Sequence, residues 1–151
     1  MSDKQDPGKA APHWILRLMA RLHPLLNTLT GGKAFNTLAG VEVCFITVTG
    51  AKTGKKRVIP LLYLPHGDGV ILVASQTGRP EHPGWYYNIR KHPDIQVKYR
   101  GQTRTLRARE VDAAERAELW PLCEAAYPDF TDYRARTDRE IPLFLCEPVV
   151  D

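Results

Sequence analysis

The chain has 151 residues, 43% of them hydrophobic and 25% charged, which suits one soluble domain whose core needs no metal or disulfide staple. No apolar run approaches the ~20 residues that span a bilayer, and three scattered cysteines without a Cys-x-x-Cys pair exclude a disulfide scaffold and fit a reducing compartment. The formal net charge of +4 hides a polarity: residues 1–109 carry 17 Lys/Arg against 6 Asp/Glu, whereas residues 110–151 carry 4 against 11. An anionic partner on the basic part and complementary charge within one fold both answer to it.

The opening stretch is polar and lacks the apolar region of a signal peptide, so residues 1–12 read as a disordered tail. Residues 13–34 read as an amphipathic helical segment. Trp14, Leu18, Leu22, Leu25 and Leu29 recur at helical spacing, Arg17 and Arg21 fall away from the stripe's centre, and Pro24 ends or kinks the helix. Such a face either caps the core or lies on a membrane surface.

Residues 35–151 read as one domain made mainly of strands. "VEVCFITVT" (41–49) is a strand, Gly50 to Lys56 a turn, and "RVIPLLYL" (57–64) the returning strand, with Pro60 marking an edge or a bulge. "PHGDG" is a hairpin turn before the strand "VILVAS" (70–75). The connections are too short for crossover helices, so the pairing is antiparallel. A helix of about two turns lies between Pro83 and Pro93. "IQVKYR" and "QTRTLRAREV" form a hairpin about Gly101, the second strand solvated on one face. Asp112 caps the helix "AAERAELWPLCEAAY", with Glu115 at the capping-box position. A polar helical segment (130–140) and a strand (141–150) close the chain. The count of short strands predicts a mainly β, α+β domain: a small barrel decorated by helices.

The chemistry concentrates in "TGAKTGKKRV". Lys52, Lys55, Lys56 and Arg57 fall within six residues, and Gly50 and Gly54 permit a tight backbone. Backbone amides in such a turn can cradle an anion while lysines add charge. It is not a P-loop, since the glycine spacing before Lys-Ser/Thr is missing. A charged, solvated hairpin is the other reading. His82 and His92 have no Cys or carboxylate at ligand spacing, so no metal is expected. Neither a redox cysteine pair nor a nucleophile elbow is present.

Three stretches, "ITVTGAKTGKKRVIPLLY", "VASQTGRPEHPGWYYNIRKHPDIQV" and "YPDFTDYRARTDREIPLFLCEP", occur in the order and at the spacing of one family. They resemble the deazaflavin (F420)-dependent nitroreductase and quinone reductase family, mostly actinobacterial, over about residues 36–148. The resemblance implies a split β-barrel and hydride transfer from reduced coenzyme F420 to quinones, with nitroaromatics as secondary acceptors. By the same resemblance, Lys52, Thr53, Lys55 and Arg57 grip the cofactor's phosphate and oligoglutamate tail. Ala51 stands where the family usually has arginine.

Ile59 and Pro60 would lie near the deazaflavin ring. Ser75 and Gln76 would bind cofactor or acceptor oxygens, and Thr77 replaces the first glycine of the family's loop. Pro83, Trp85 and Asn88 match the family's Pro-x-Trp-x-x-Asn segment, with Trp85 and Asn88 at the cofactor. Tyr127, Phe130 and Tyr133 match the aromatic wall on the acceptor side, Phe130 replacing a tyrosine. Ser75, Tyr127, Tyr133 and Phe130 are thus the candidate catalytic set, and nitroaromatics are expected to be poor substrates. The resemblance further implies a small-molecule acceptor, a quinone. The apolar stripe with Arg17 and Arg21 suits contact of residues 13–29 with the inner membrane surface, beside the core-capping reading, the cysteine usage suits a cytoplasmic protein, and the lack of an RRM, KH or helix-turn-helix signature argues against a nucleic acid partner. The alternatives are an FMN- or haem-binding split barrel and a non-enzymatic module using the basic turn and the arginines of 104–109 on phosphates.

Overall fold

The computed structural model describes Thr37, Leu38 and residues 41–149; the tail and amphipathic segment expected over residues 1–34 lie outside the described residues. Among the described residues, β1 (Thr37–Leu38) pairs with the start of β2 (Val41–Thr49). β2 then pairs with β3 (Lys56–Leu62), from Val43 opposite Leu62 to Thr49 opposite Lys56. Its other edge pairs with β6 (Asp94–Tyr99), and the sheet continues through β7 (Gln102–Glu110), β8 (Leu143–Pro148), β5 (Gly69–Val73) and β4 (Leu64–His66). Every ladder among the described residues is antiparallel.

β3 and β4 are one stretch of chain interrupted at Tyr63. The run of ladders therefore begins and ends on that stretch, β3 against β2 and β4 against β5. No ladder among the described residues joins β3 to β5, so the barrel is split rather than closed. The strand count predicts an α+β barrel and the resemblance a split one; an α+β split barrel is the fold observed. Pro60 sits opposite Phe45 on β3, a strand paired only with β2 among the described residues, where a missing N–H is tolerated.

Two apolar clusters follow from the period of two. One face of each strand supplies the interior: Ile46 and Val48 from β2, Val70 and Leu72 from β5, Ile95 and Val97 from β6, Leu106 and Ala108 from β7, Phe144 from β8. Helix α1 (Gly84–Lys91) closes this cluster with Trp85, Tyr86 and Ile89. The opposite faces of β5 and β8 present Ile71, Leu143 and Leu145 to Leu119, Trp120 and Cys123 of α2 (Ala113–Ala126) and Phe130 of α3 (Asp129–Ala135). β5 and β8 are thus covered on both sides, while the outer face of β7 carries solvated arginines.

The Asp112 carboxylate accepts from the Glu115 amide at 2.8 Å, the expected N-cap. The segment expected to be helical to residue 140 stops at Ala135. Beyond it the Thr137 hydroxyl accepts from the Arg139 amide at 3.3 Å, a local bond that competes with helix. The last strand starts at Leu143 rather than Ile141, because the Ile141 carbonyl accepts from Arg116 and Pro142 has no N–H for a ladder.

All three cysteines are buried and free. Burial pushes the Cys44 and Cys146 thiols up to about 12 and Cys123 up to about 11. A thiol-disulfide reagent at neutral pH is expected to label none of them in the folded protein and all of them in denaturant. Rapid labelling of the native protein would show that the core opens there.

Candidate functional site

The turn between β2 and β3 closes through Gly50 N–H donating to the Lys55 carbonyl (2.8 Å) and Gly54 N–H donating to the Gly50 carbonyl (2.9 Å). Gly54 has a φ of 68°, which glycine adopts without strain. The turn is held from outside as well. Asn88 on α1 accepts from the Ala51 amide at 2.9 Å, and Lys91 donates to the Ala51 carbonyl at 2.8 Å. Helix α1, 37 residues away in sequence, thus fixes the loop that carries the cations.

Lys52, Thr53, Lys55, Lys56 and Arg57 are all exposed. Lys56 donates to the Thr49 hydroxyl. Among the described residues no carboxylate pairs with any cation of this turn. The arginines of β7 are arranged differently: Arg107 pairs with Asp94 at 2.8 Å, and Arg109 with Glu115 at 2.7 Å and Glu147 at 3.4 Å. The charge polarity of the sequence therefore has two sources. On β7, Arg107 and Arg109 meet carboxylates, two of them from the acidic C-terminal part, and Arg104 donates to the Asp68 carbonyl, whereas the cations of the turn pair with no described carboxylate. Ile59 and Pro60 continue from the turn along β3, half-buried, opposite Ile46 and Phe45 of β2.

A second group forms where β5 ends. Ser75 is half-buried, and after it Gln76, Thr77 and Gly78 take φ values of 46°, 54° and 78°. Two consecutive non-glycine residues in the left-handed region store strain, of order 1 kcal/mol or more each. Gly78 has no room for a side chain: a Cβ there would lie 2.6 Å from the Tyr133 carbonyl oxygen and 3.0 Å from the Tyr133 Cα. The loop is thus seated on α3, beside Tyr133. Across the same wall the Tyr127 and Tyr133 hydroxyls lie 3.3 Å apart, and the Tyr127–Phe130 and Phe130–Tyr133 ring centroids are 5.0 and 6.1 Å apart. Burial, then the hydrogen bond with Tyr133, raises the Tyr127 phenol well above its ordinary range, so it keeps its proton at physiological pH.

Trp85 and Phe130, read from the sequence as ligand contacts, are 6% and 3% exposed. Trp85 packs on Phe144 in the barrel interior, and Phe130 lies between Trp120 and the two tyrosines. Each ring seats the helix that carries its more exposed neighbours. Sequence reasoning missed Lys91, Gly78 and Arg139. The Arg139 guanidinium donates to the carbonyls of Ala74 (3.2 Å), Ser75 (2.9 Å) and Arg79 (2.9 Å), and lies 3.2 Å from His82 Nδ1. No spacing rule marks such a residue, since its partners are backbone atoms some 60 positions away.

A cleft of about 190 Å³ opens beside His82, lined also by Tyr86, Glu110, Asp112, Arg116 and Glu140. Its carboxylates outnumber its cations, so an anionic ligand suits the basic turn and not this cleft. No group of His, Cys, Asp and Glu among the described residues could hold a metal ion.

The described residues form a split barrel that carries a cationic turn unpaired with any described carboxylate and, after β5, a strained loop beside the tyrosines of α3. More particularly, the chain belongs to the F420H(2)-dependent quinone reductase family, an oxidoreductase family whose model matches residues 18–148. An F420H(2)-dependent quinone reductase of Mycobacterium tuberculosis, Rv1261c, is 31% identical over 129 residues, covering 83% of this chain and 87% of that protein. The solved F420-H2 dependent reductase FDR-A superposes with a TM-score of 0.65 at 39% identity, over 70% of this chain and 93% of its own. A structure described as a domain-swapped dimer gives a TM-score of 0.66 at 33% identity, over 89% and 97%.

The grip of α1 on the turn is testable. Asn88→Ala leaves the Ala51 amide without its acceptor and is expected to cost about 1 kcal/mol in thermal unfolding. Asn88→Asp keeps the acceptor and most of the stability, yet brings a negative charge to the turn. Titration of F420 should show weaker binding for both variants. Unchanged affinity in both would separate α1 from the ligand.

Proposed function

We propose that the chain transfers a hydride from reduced coenzyme F420 to a quinone-type or other activated cyclic acceptor, with nitroaromatics as poor substrates. The observation that carries this reading is the basic turn, locked in shape by α1 and unpaired with any described carboxylate, in a member of an F420H(2)-dependent family. The turn's cations fit the phosphate and oligoglutamate tail that the family resemblance implies for the cofactor. When bound, the cofactor supplies the hydride, while the protein supplies position and electrostatics.

In this reading Lys52, Thr53, Lys55 and Arg57 hold the anionic end, and Ile59 and Pro60 border the ring along β3. Asn88 acts through the turn that it holds. Ser75 and Gln76 bring polar groups to the reacting end. Tyr127 and Tyr133 orient the acceptor and donate hydrogen bonds as negative charge grows on its oxygen. Trp85 and Phe130 back the two helices from the core. Phe130, lacking a hydroxyl, offers no donor to a nitro group, which supports the preference for quinones. Peripheral contact of residues 13–29 with the inner membrane surface would give access to a lipid-soluble quinone.

The test is fluorescence titration with F420 and with FMN, followed by steady-state oxidation of reduced F420 by a menaquinone analogue and by a nitroimidazole. F420 is expected to bind in the micromolar range and FMN far more weakly, with the quinone giving the higher kcat/KM. FMN binding as tight as F420 would overturn the cofactor assignment. Faster nitroimidazole reduction would overturn the acceptor assignment.

A further inference from the structure

We propose that Arg139 is a positioning residue for the acceptor side, its guanidinium setting the loop that carries Ser75 and Gln76 against Tyr133; this rests on the functional reading above. The loop turns through three successive left-handed residues, two of them not glycine, so its shape is not one that the chain adopts by itself. Its own hydrogen bonds are local: Gly78 N–H to the Ser75 carbonyl (2.9 Å), Arg79 N–H to the Gln76 carbonyl (3.1 Å), and the Thr77 hydroxyl to the Gln76 carbonyl (2.7 Å). These close the turn without anchoring it.

Arg139 anchors it at both ends. Nη2 reaches Ala74 and Ser75 on the incoming side, and Nε reaches Arg79 on the outgoing side. The planar fork of an arginine holds several acceptors in fixed relation, which a lysine ammonium does not. Nη1 meets His82 Nδ1, and since a guanidinium only donates, that nitrogen is the acceptor and the neutral imidazole carries its proton on Nε2. His82 in turn stacks on Tyr86 of α1 at 4.1 Å between centroids. No described carboxylate lies within ion-pair distance of Arg139, Glu81 acting on it only at longer range, and its close hydrogen bonds go to the loop and to His82. On the other flank the loop meets the Tyr133 backbone through Gly78. A part-buried guanidinium thus braces one side of the loop and α3 the other.

The experiment compares wild type with Arg139→Lys and His82→Ala by amide hydrogen exchange of the ligand-free protein, F420 titration and quinone kinetics. The Gly78 and Arg79 amides report the loop directly. For Arg139→Lys they are expected to exchange about tenfold faster or more, the effect of losing one charge-assisted bond, while β5 and β8 amides keep their protection. The quinone KM should rise by about fivefold or more, with F420 affinity nearly unchanged. His82→Ala should show a smaller loop-specific acceleration, and it carries the test if Arg139→Lys does not fold. Unchanged exchange at Gly78 and Arg79, or equal acceleration throughout β5 and β8, overturns the proposal, as does faster loop exchange with quinone KM unaltered. Failure of wild type to oxidise reduced F420 overturns the functional reading and with it the acceptor role. The exchange data then still decide whether Arg139 sets the loop.

Discussion

Replacing Lys52 or Arg57 with alanine is expected to weaken F420 binding by about 10- to 150-fold, the equivalent of one charge-assisted hydrogen bond at roughly 1.5–3 kcal/mol. Both side chains are exposed and neither pairs with a described carboxylate, so the fold should not notice their loss. The loss should be larger for the polyglutamylated cofactor than for a form truncated before the tail. It should also shrink as salt rises, because exposed charges are screened over about 10 Å at 0.1 M. Equal weakening of both forms would mean that the turn reads something other than the tail. No weakening of either would return the turn to a merely solvated hairpin.

Gly78→Ala is expected to destabilise the protein by about 3 kcal/mol, from the positive φ and from overpacking a side chain against backbone. That corresponds to a fall of roughly 10 °C in the thermal midpoint. The neighbour in the way is the Tyr133 carbonyl, which cannot swing aside as a flexible side chain would. Gly54→Ala is the control. Its φ of 68° imposes a similar conformational cost, but no atom lies within 4 Å of the added Cβ. The control should therefore lose only about 1 kcal/mol. Circular dichroism melts of the two variants decide the matter, and equal losses would show that the contact between the loop and α3 is soft.

Much of this was legible in the sequence, for local reasons. The β2 boundaries at Val41 and Thr49 coincide with the expected ones because an apolar β-branched run ends at a glycine. Asp112 as a cap was legible because its partner lies three residues on. The antiparallel order of the first hairpins was legible from connection length. What was hidden is what depends on distant pairing. Nothing local says that β2 takes β6 as its second neighbour, or that β5 lies between β4 and β8. The depth at which Trp85 and Phe130 sit was hidden by the same limit, since an aromatic at helical spacing reads alike whether it lies near the surface or in the core. Arg139 reads as one more surface cation, because its acceptors are carbonyls brought to it only by the tertiary fold.

The place of β8 bears on how the protein comes to be made. β8 follows every other described strand in the chain, yet it lies between β7 and β5 and is covered on both faces. While a ribosome is still translating, β5 and β7 have emerged but each lacks the neighbour that will separate and join them. Their open edges are then unpaired and the apolar faces of α2 and α3 lack the half of their support that β8 supplies, a condition that invites pairing with other nascent chains. The sheet cannot be completed from the N-terminus onward. It must wait for residues 143–148 to clear the exit tunnel and insert between strands made long before, a closure across many intervening residues that favours slow folding. The strand order thus leaves β5 and β7 with open edges until the last described strand arrives.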